Sequence, residues 1–122
     1  MSNEISYQFQ ILLNNSSLKD QYSSSSISAS QSTAALVRNV QSIGALAHEA
    51  LDLGSVATPG FAVFQNLDAM NYVEIGIDVG ATFYPFLKLK AGEQGMLRLG
   101  TATPYALADT DAVSLFYIIY DN

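Results

Sequence analysis

Ile5, Tyr7, Phe9 and Ile11 alternate with Ser6, Gln8 and Gln10, a period of two that predicts a half-buried strand. Asn14-Asn15-Ser16-Ser17 follows as a turn. Residues 22–33 (YSSSSISASQST) are Ser-rich and low in complexity, with Tyr22 and Ile27 the only large side chains. With so little to bury, that segment reads as an arm, flexible or ordered only against a neighbour. From Ala34 to Ile43, the apolar positions Ala35, Leu36, Val37, Val40 and Ile43 fit a short helix or a strand, with strand preferred.

Beyond Ala47 the alternation sharpens. His48–Leu53 ends at Gly54, and Thr58-Pro59-Gly60 predicts a turn in which Gly60 supplies a positive φ. Strands are expected at Phe61–Phe64, around Tyr72, Val73 and Ile75, at Phe83–Leu89, Gly95–Leu99 and Tyr105–Ala108. Asn66-Leu67-Asp68, Gly76 to Gly80, Lys90-Ala91-Gly92-Glu93, Thr103-Pro104 and Asp109-Thr110-Asp111 separate them. The last run, Val113–Tyr120, is apolar on both faces, which suits a central strand or one covered by a partner.

About nine short strands, spaced by Gly, Pro, Asn and Asp, predict an all-β antiparallel β-sandwich of jelly-roll-like type. An extended, Ser-rich N-terminal region precedes it. The expected organisation is a single domain in two parts. Residues 1–43 form an N-terminal strand and arm packing on the sandwich or a neighbouring subunit, and residues 44–122 form the sandwich core.

Composition narrows the function. Charged residues are 13% of the 122 and hydrophobic ones 49%, against a usual charged share of ~25%. A neutral, Tyr-rich surface suits permanent protein contacts, because burying it strands no charge. The net charge is −6, and the five basic residues, Lys19, Arg38, Lys88, Lys90 and Arg98, are scattered. Neither nucleic acid nor an anionic membrane surface is therefore an expected partner. Met1-Ser2-Asn3-Glu4 lacks the basic, apolar start of a secretory leader, so synthesis in a cytoplasm is expected. With no cysteine, disulfides, thiolate metal sites and a cysteine nucleophile are excluded.

No catalytic pattern emerges. His48, the single histidine, lies beside Glu49 and near Asp52, without a nucleophile motif, and is expected to be a surface or interface residue. Asp68, Asn71 and Glu74, or Asp109 and Asp111, are conceivable oxygen ligands for calcium, but they lack the EF-hand order. Turn capping by Asn66, Asp68 and Asn71 is the preferred reading. Gly76 and Gly80 open no helix and so form no phosphate loop. The expectation is a non-enzymatic protein without catalytic residues, cofactor or metal. Tyr22, Ile27, Phe116, Tyr117, Ile118, Ile119 and Tyr120 are the candidate assembly residues.

The segments LDLGSVATPGFAVFQNLDAMNYVEIG (Leu51–Gly76), FYPFLKLKAGEQGMLRLG (Phe83–Gly100) and Tyr105–Tyr120 resemble small virion proteins of tailed bacteriophages. The likeness spans Glu49–Asn122, about 60% of the chain, and its motifs are structural rather than catalytic. It implies a β-sandwich virion component of the capsid decoration (cement) type, stabilising a phage head from its outer surface. The partners so implied are further copies of the chain, as a homotrimer, and the major capsid protein or other virion proteins. A tail, adaptor or fibre-associated component, and a carbohydrate-binding β-sandwich, are the competing expectations.

Overall fold

The computed structural model describes residues 4–122; Met1–Asn3, part of the Met1–Glu4 segment read above, lie outside the described residues. The chain divides into two compact units, Met1–Ser32 and Thr33–Asn122. Among the described residues there are twelve strands and no helix.

The first unit contains β1 (Ile5–Tyr7), β2 (Gln10–Asn15), β3 (Leu18–Ser23) and β4 (Ile27–Ala29). β2 and β3 pair antiparallel from Gln10↔Ser23 to Asn15↔Leu18, turning through Ser16, whose φ is +56°. β1 and β4 pair from Ile5↔Ala29 to Tyr7↔Ile27. Serine hydroxyls help to bridge the two ladders. The Phe9 amide donates to Ser24 Oγ at 2.8 Å, and the Ser6 and Ser26 hydroxyls meet at 2.9 Å. The Ser-rich stretch thus contains the end of β3 and all of β4, which pair back with β2 and β1, and Ser24 and Ser26 between them supply hydrogen bonds where bulk is lacking. Ile5–Ile11, expected as one strand, is interrupted at Gln8 and Phe9.

The second unit holds β5 (Leu36–Ile43), β6 (Glu49–Ala50), β7 (Pro59–Asn66), β8 (Val73–Val79), β9 (Thr82–Leu89), β10 (Gln94–Arg98), β11 (Tyr105–Ala108) and β12 (Val113–Asp121). They form two four-stranded antiparallel sheets, ordered β10-β7-β12-β5 and β6-β11-β8-β9. Every connection passes from one sheet to the other except the β8–β9 hairpin. Phe64, Leu115, Tyr117 and Ile119 of the first sheet and Val73, Ile75 and Ala106 of the second belong to one buried core. The arrangement is β-sandwich-like. Ala34–Ile43, open to helix or strand from sequence, supplies β5, which lies in the first sheet beside β12. The boundary between units accordingly falls at Ser32, whereas the sequence reading set it at Ile43.

Two glycines are held by packing. At Gly76 the β8–β9 register shifts, from Ile75↔Leu87 to Gly76↔Pro85. A Cβ there would lie 2.2 Å from the Tyr84 carbonyl oxygen and 2.6 Å from Pro85 Cα. Gly60, expected in a positive-φ turn, is instead inside β7, which already begins at Pro59. Its Cβ would come within 3.0 Å of Asn122 Cα, so close backbone approach explains the glycine.

The β8–β9 turn contains the opposite case, Ala81 at φ +68°. A left-handed alanine costs roughly 1 kcal/mol relative to glycine. Ala81→Gly should therefore raise the unfolding free energy in urea by up to about 1 kcal/mol, and Gly76→Ala should lower it by ~3 kcal/mol.

Candidate interaction surface

The register across the first sheet specifies which side chains share a face, because directly opposed residues point the same way. Tyr117 opposes Asn39 and Phe64, and Ile119 opposes Val37 and Ala62; these point into the core. Their neighbours point away from it. Phe116 opposes Val40 and Gln65, and Ile118 opposes Arg38 and Val63. Tyr120 opposes Leu36, while on β10 Met96 opposes Val63 and Arg98 opposes Phe61.

The outward face of this sheet therefore carries Leu36, Val40, Phe61, Val63, Met96, Phe116, Ile118 and Tyr120. Antiparallel sheets with one wet face usually put polar residues there. Here Ser42, Gln65, Gln94 and Ser114 share the face with the apolar residues. Arg38 lies over the Phe116 ring, 6.0 Å from its centroid, and Arg98 over Phe61 at 4.3 Å. Both cations are thereby held against apolar surface by ring quadrupoles. Leu36, Val40 and Met96 are 49%, 52% and 40% exposed, large values for apolar side chains.

The candidate assembly residues separate by this geometry. Phe116 and Tyr120 are half-buried on the outward face, where Ile118 is nearly covered by its neighbours. Tyr117 and Ile119 are fully buried in the core and have no surface to offer an assembly contact. Tyr22 is 52% exposed on β3, and Ile27 is half-buried on β4. Leu36, Val40, Val63 and Met96 were not singled out from sequence. Their signal is the apolar residue at alternate positions of β5, β7 and β10, which becomes a surface only once register aligns them.

Polar groups elsewhere are committed to holding the fold. The Tyr117 hydroxyl accepts from Asn39 Nδ2 at 3.1 Å and lies 2.7 Å from the Asp52 carbonyl oxygen and 2.9 Å from Gln41 Oε1. Burial raises its pKa above 10.0. Asn66, fully buried, donates to the Asn71 and Leu89 carbonyls at 2.8 and 3.1 Å and accepts from the Asp68 amide at 2.8 Å. Asp68 Oδ2 accepts from the Met70 and Asn71 amides at 3.0 and 2.6 Å, which lowers its pKa below 3.8. Asn66 and Asp68 therefore cap the turn, as expected from sequence, with Asn71 as their backbone partner. Thr110 donates to the Asn71 side chain at 2.8 Å. Among the described residues, every buried side-chain nitrogen and oxygen is hydrogen-bonded, and no group of three His, Asp or Glu side chains is placed to hold a metal ion.

His48 pairs with Asp78, Nε2 to Oδ2 at 2.9 Å, and its ring stacks on Phe83 with centroids 5.3 Å apart. The sequence neighbours Glu49 and Asp52 are occupied differently. Glu49 accepts from the Gly44 amide at 3.1 Å, and the Asp52 amide donates to Gln41 Oε1 at 2.9 Å. A cleft of about 420 Å³ is lined by Ile77, Phe86, Leu97, Arg98, Gly100 and Thr101.

No family model, curated protein or solved structure matches the chain.

Replacing Asn66 by Leu removes one buried and two half-buried hydrogen bonds and should cost about 3 kcal/mol in chemical denaturation. Tyr117 titrates higher folded than unfolded, so its contribution is complete below pH 10 and is lost as pH rises through the folded value. Tyr117→Phe should accordingly cost about 1 kcal/mol at neutral pH and weaken the fall in stability above pH 10, measured by denaturation at successive pH values.

Proposed function

We propose that the chain is a non-enzymatic structural protein of a tailed-bacteriophage virion, a decoration (cement) subunit that stabilises the head from outside. The observation that carries this reading is the apolar outward face of the β10-β7-β12-β5 sheet. An obligate assembly subunit needs such a face, and burying it strands few charges. The residue likeness over Glu49–Asn122 supplies the particular assembly. The jelly-roll-like assignment, an architecture common in capsid proteins, is supported by two four-stranded sheets whose connections cross from one to the other at every step but β8–β9.

Charge agrees with an outer location. A −6 chain with scattered cations gains nothing from facing packaged DNA, whereas a protein-covered outer shell imposes no such penalty. The partners in this reading are the major capsid protein and further copies of the chain, arranged as a trimer at a symmetry axis. No nucleic acid, membrane or cofactor takes part.

Quantifying the protein in purified particles tests the assignment. A copy number comparable to that of the major shell subunit is expected; only a few copies would favour the tail axis. On the chain itself, Val40→Glu and Met96→Glu change exposed side chains and should leave stability within about 0.5 kcal/mol. The same variants should abolish attachment to particles in a co-sedimentation assay.

A further inference from the structure

The hairpin of the first unit carries a second apolar face. Ile11 opposes Tyr22, Leu13 opposes Asp20 and Asn15 opposes Leu18, so these six share one side of the ribbon. Phe9 continues that side, its ring centroid 5.6 Å from that of Tyr22. The opposite side presents Gln10, Asn14, Lys19, Gln21 and Ser23, with Leu12 its one apolar member. Phe9, Ile11, Leu13, Leu18 and Tyr22 are 43%, 59%, 41%, 60% and 52% exposed. A two-stranded ribbon with an uncovered apolar face is marginal in water and needs further strands or a packing partner.

We propose that this face is a self-association element, packing against the same face of the hairpin in a neighbouring copy of the chain. The inference rests on the self-association in the reading above and departs from its trimer, because a face that meets its own copy is a two-fold contact joining chains in pairs. Two observations choose this occupant. The first is area. The five side chains leave roughly 500 Å² of apolar surface per copy, so two hairpins face to face bury about 1,000 Å², the threshold for a specific interface. The product is a two-layer structure in which each ribbon supplies the packing partner the other lacks.

The second is charge. Residues 1–32 contain only Glu4, Asp20 and Lys19, while the remainder of the chain contains nine acids and four bases. Copies that meet through their hairpins bring together the least charged part of an acidic chain. Asp20 is the one charged side chain on the mating side, and Lys19, next to it in sequence, lies on the polar side. An acidic partner would find no complementary charge on this face, and a basic one only Asp20.

The absence of cysteine permits a direct test on the full chain. Ile11→Cys and Leu13→Cys place thiols on the apolar side, and Asn14→Cys places one on the polar side. A short bis-maleimide should cross-link the first two into covalent oligomers and leave the third monomeric on a denaturing gel. Sedimentation should show an oligomer for the natural chain. Ile11→Asn with Leu18→Asn should raise its dissociation constant at least ~100-fold, with the unfolding transition of the second unit unchanged. A natural chain that is monomeric at ~100 µM, where even a ~10 µM association would be populated, overturns the proposal. So does an oligomer that survives the double substitution, or a Leu13→Cys thiol that is shielded from maleimide in a monomer. The decoration reading fails separately, by copy number on particles.

Discussion

Everything in the second unit depends on β12 having a strand on each edge and a use for each face. Its backbone is paired with β5 and β7, so it is central in its sheet. One face puts Val113, Leu115, Tyr117 and Ile119 into the core, where Tyr117 and Phe64 lie with ring centroids 6.3 Å apart. A central strand that is apolar on one side would be ordinary. β12 is apolar on both, and the outward residues Phe116, Ile118 and Tyr120 extend the apolar surface of β5, β7 and β10. A sheet with two apolar faces has more to bury than its own sandwich can cover.

Several polar residues keep that sheet in register with its surroundings. Tyr117 carries a hydroxyl into a buried setting and finds Asn39, Gln41 and the Asp52 carbonyl around it. Asn66 ties the end of β7 to the loop before β8 and to the end of β9. A buried amide with each end bonded fixes one arrangement of the loop, since any other would leave those carbonyls without donors. Asp68 then uses its carboxylate on backbone amides, the same local economy that makes Asn and Asp common in turns.

Much of this architecture was legible in the residues. The strands at Phe61, Val73, Phe83, Gly95, Tyr105 and Val113 alternate and are bounded by Gly, Pro, Asn or Asp, and each is a strand in the structure. What escaped was non-local. The serines of 22–33 have no hydrophobic period, so only pairing with residues 5–15 reveals the end of β3 and the short β4 among them. The partner of His48 is thirty residues away, and the reason for Gly60 is the backbone at Asn122. For the candidate surface, the sequence exposed the apolar character of Phe116–Tyr120 but not its division between inside and outside. That division needs register, which alternation within one strand cannot provide when both faces are apolar.

The central claim is that the outward face of the first sheet is where the chain meets its assembly. Its two methionine reporters make this measurable. Met96 lies on that face and is 40% exposed, while Met70 lies in the β7–β8 loop and is 88% exposed. Hydroxyl-radical footprinting should compare methionine oxidation in the free protein and in the particle. The apolar-face account predicts that Met96 becomes protected on assembly while Met70 keeps its reactivity; unchanged oxidation of Met96 in the particle would contradict it.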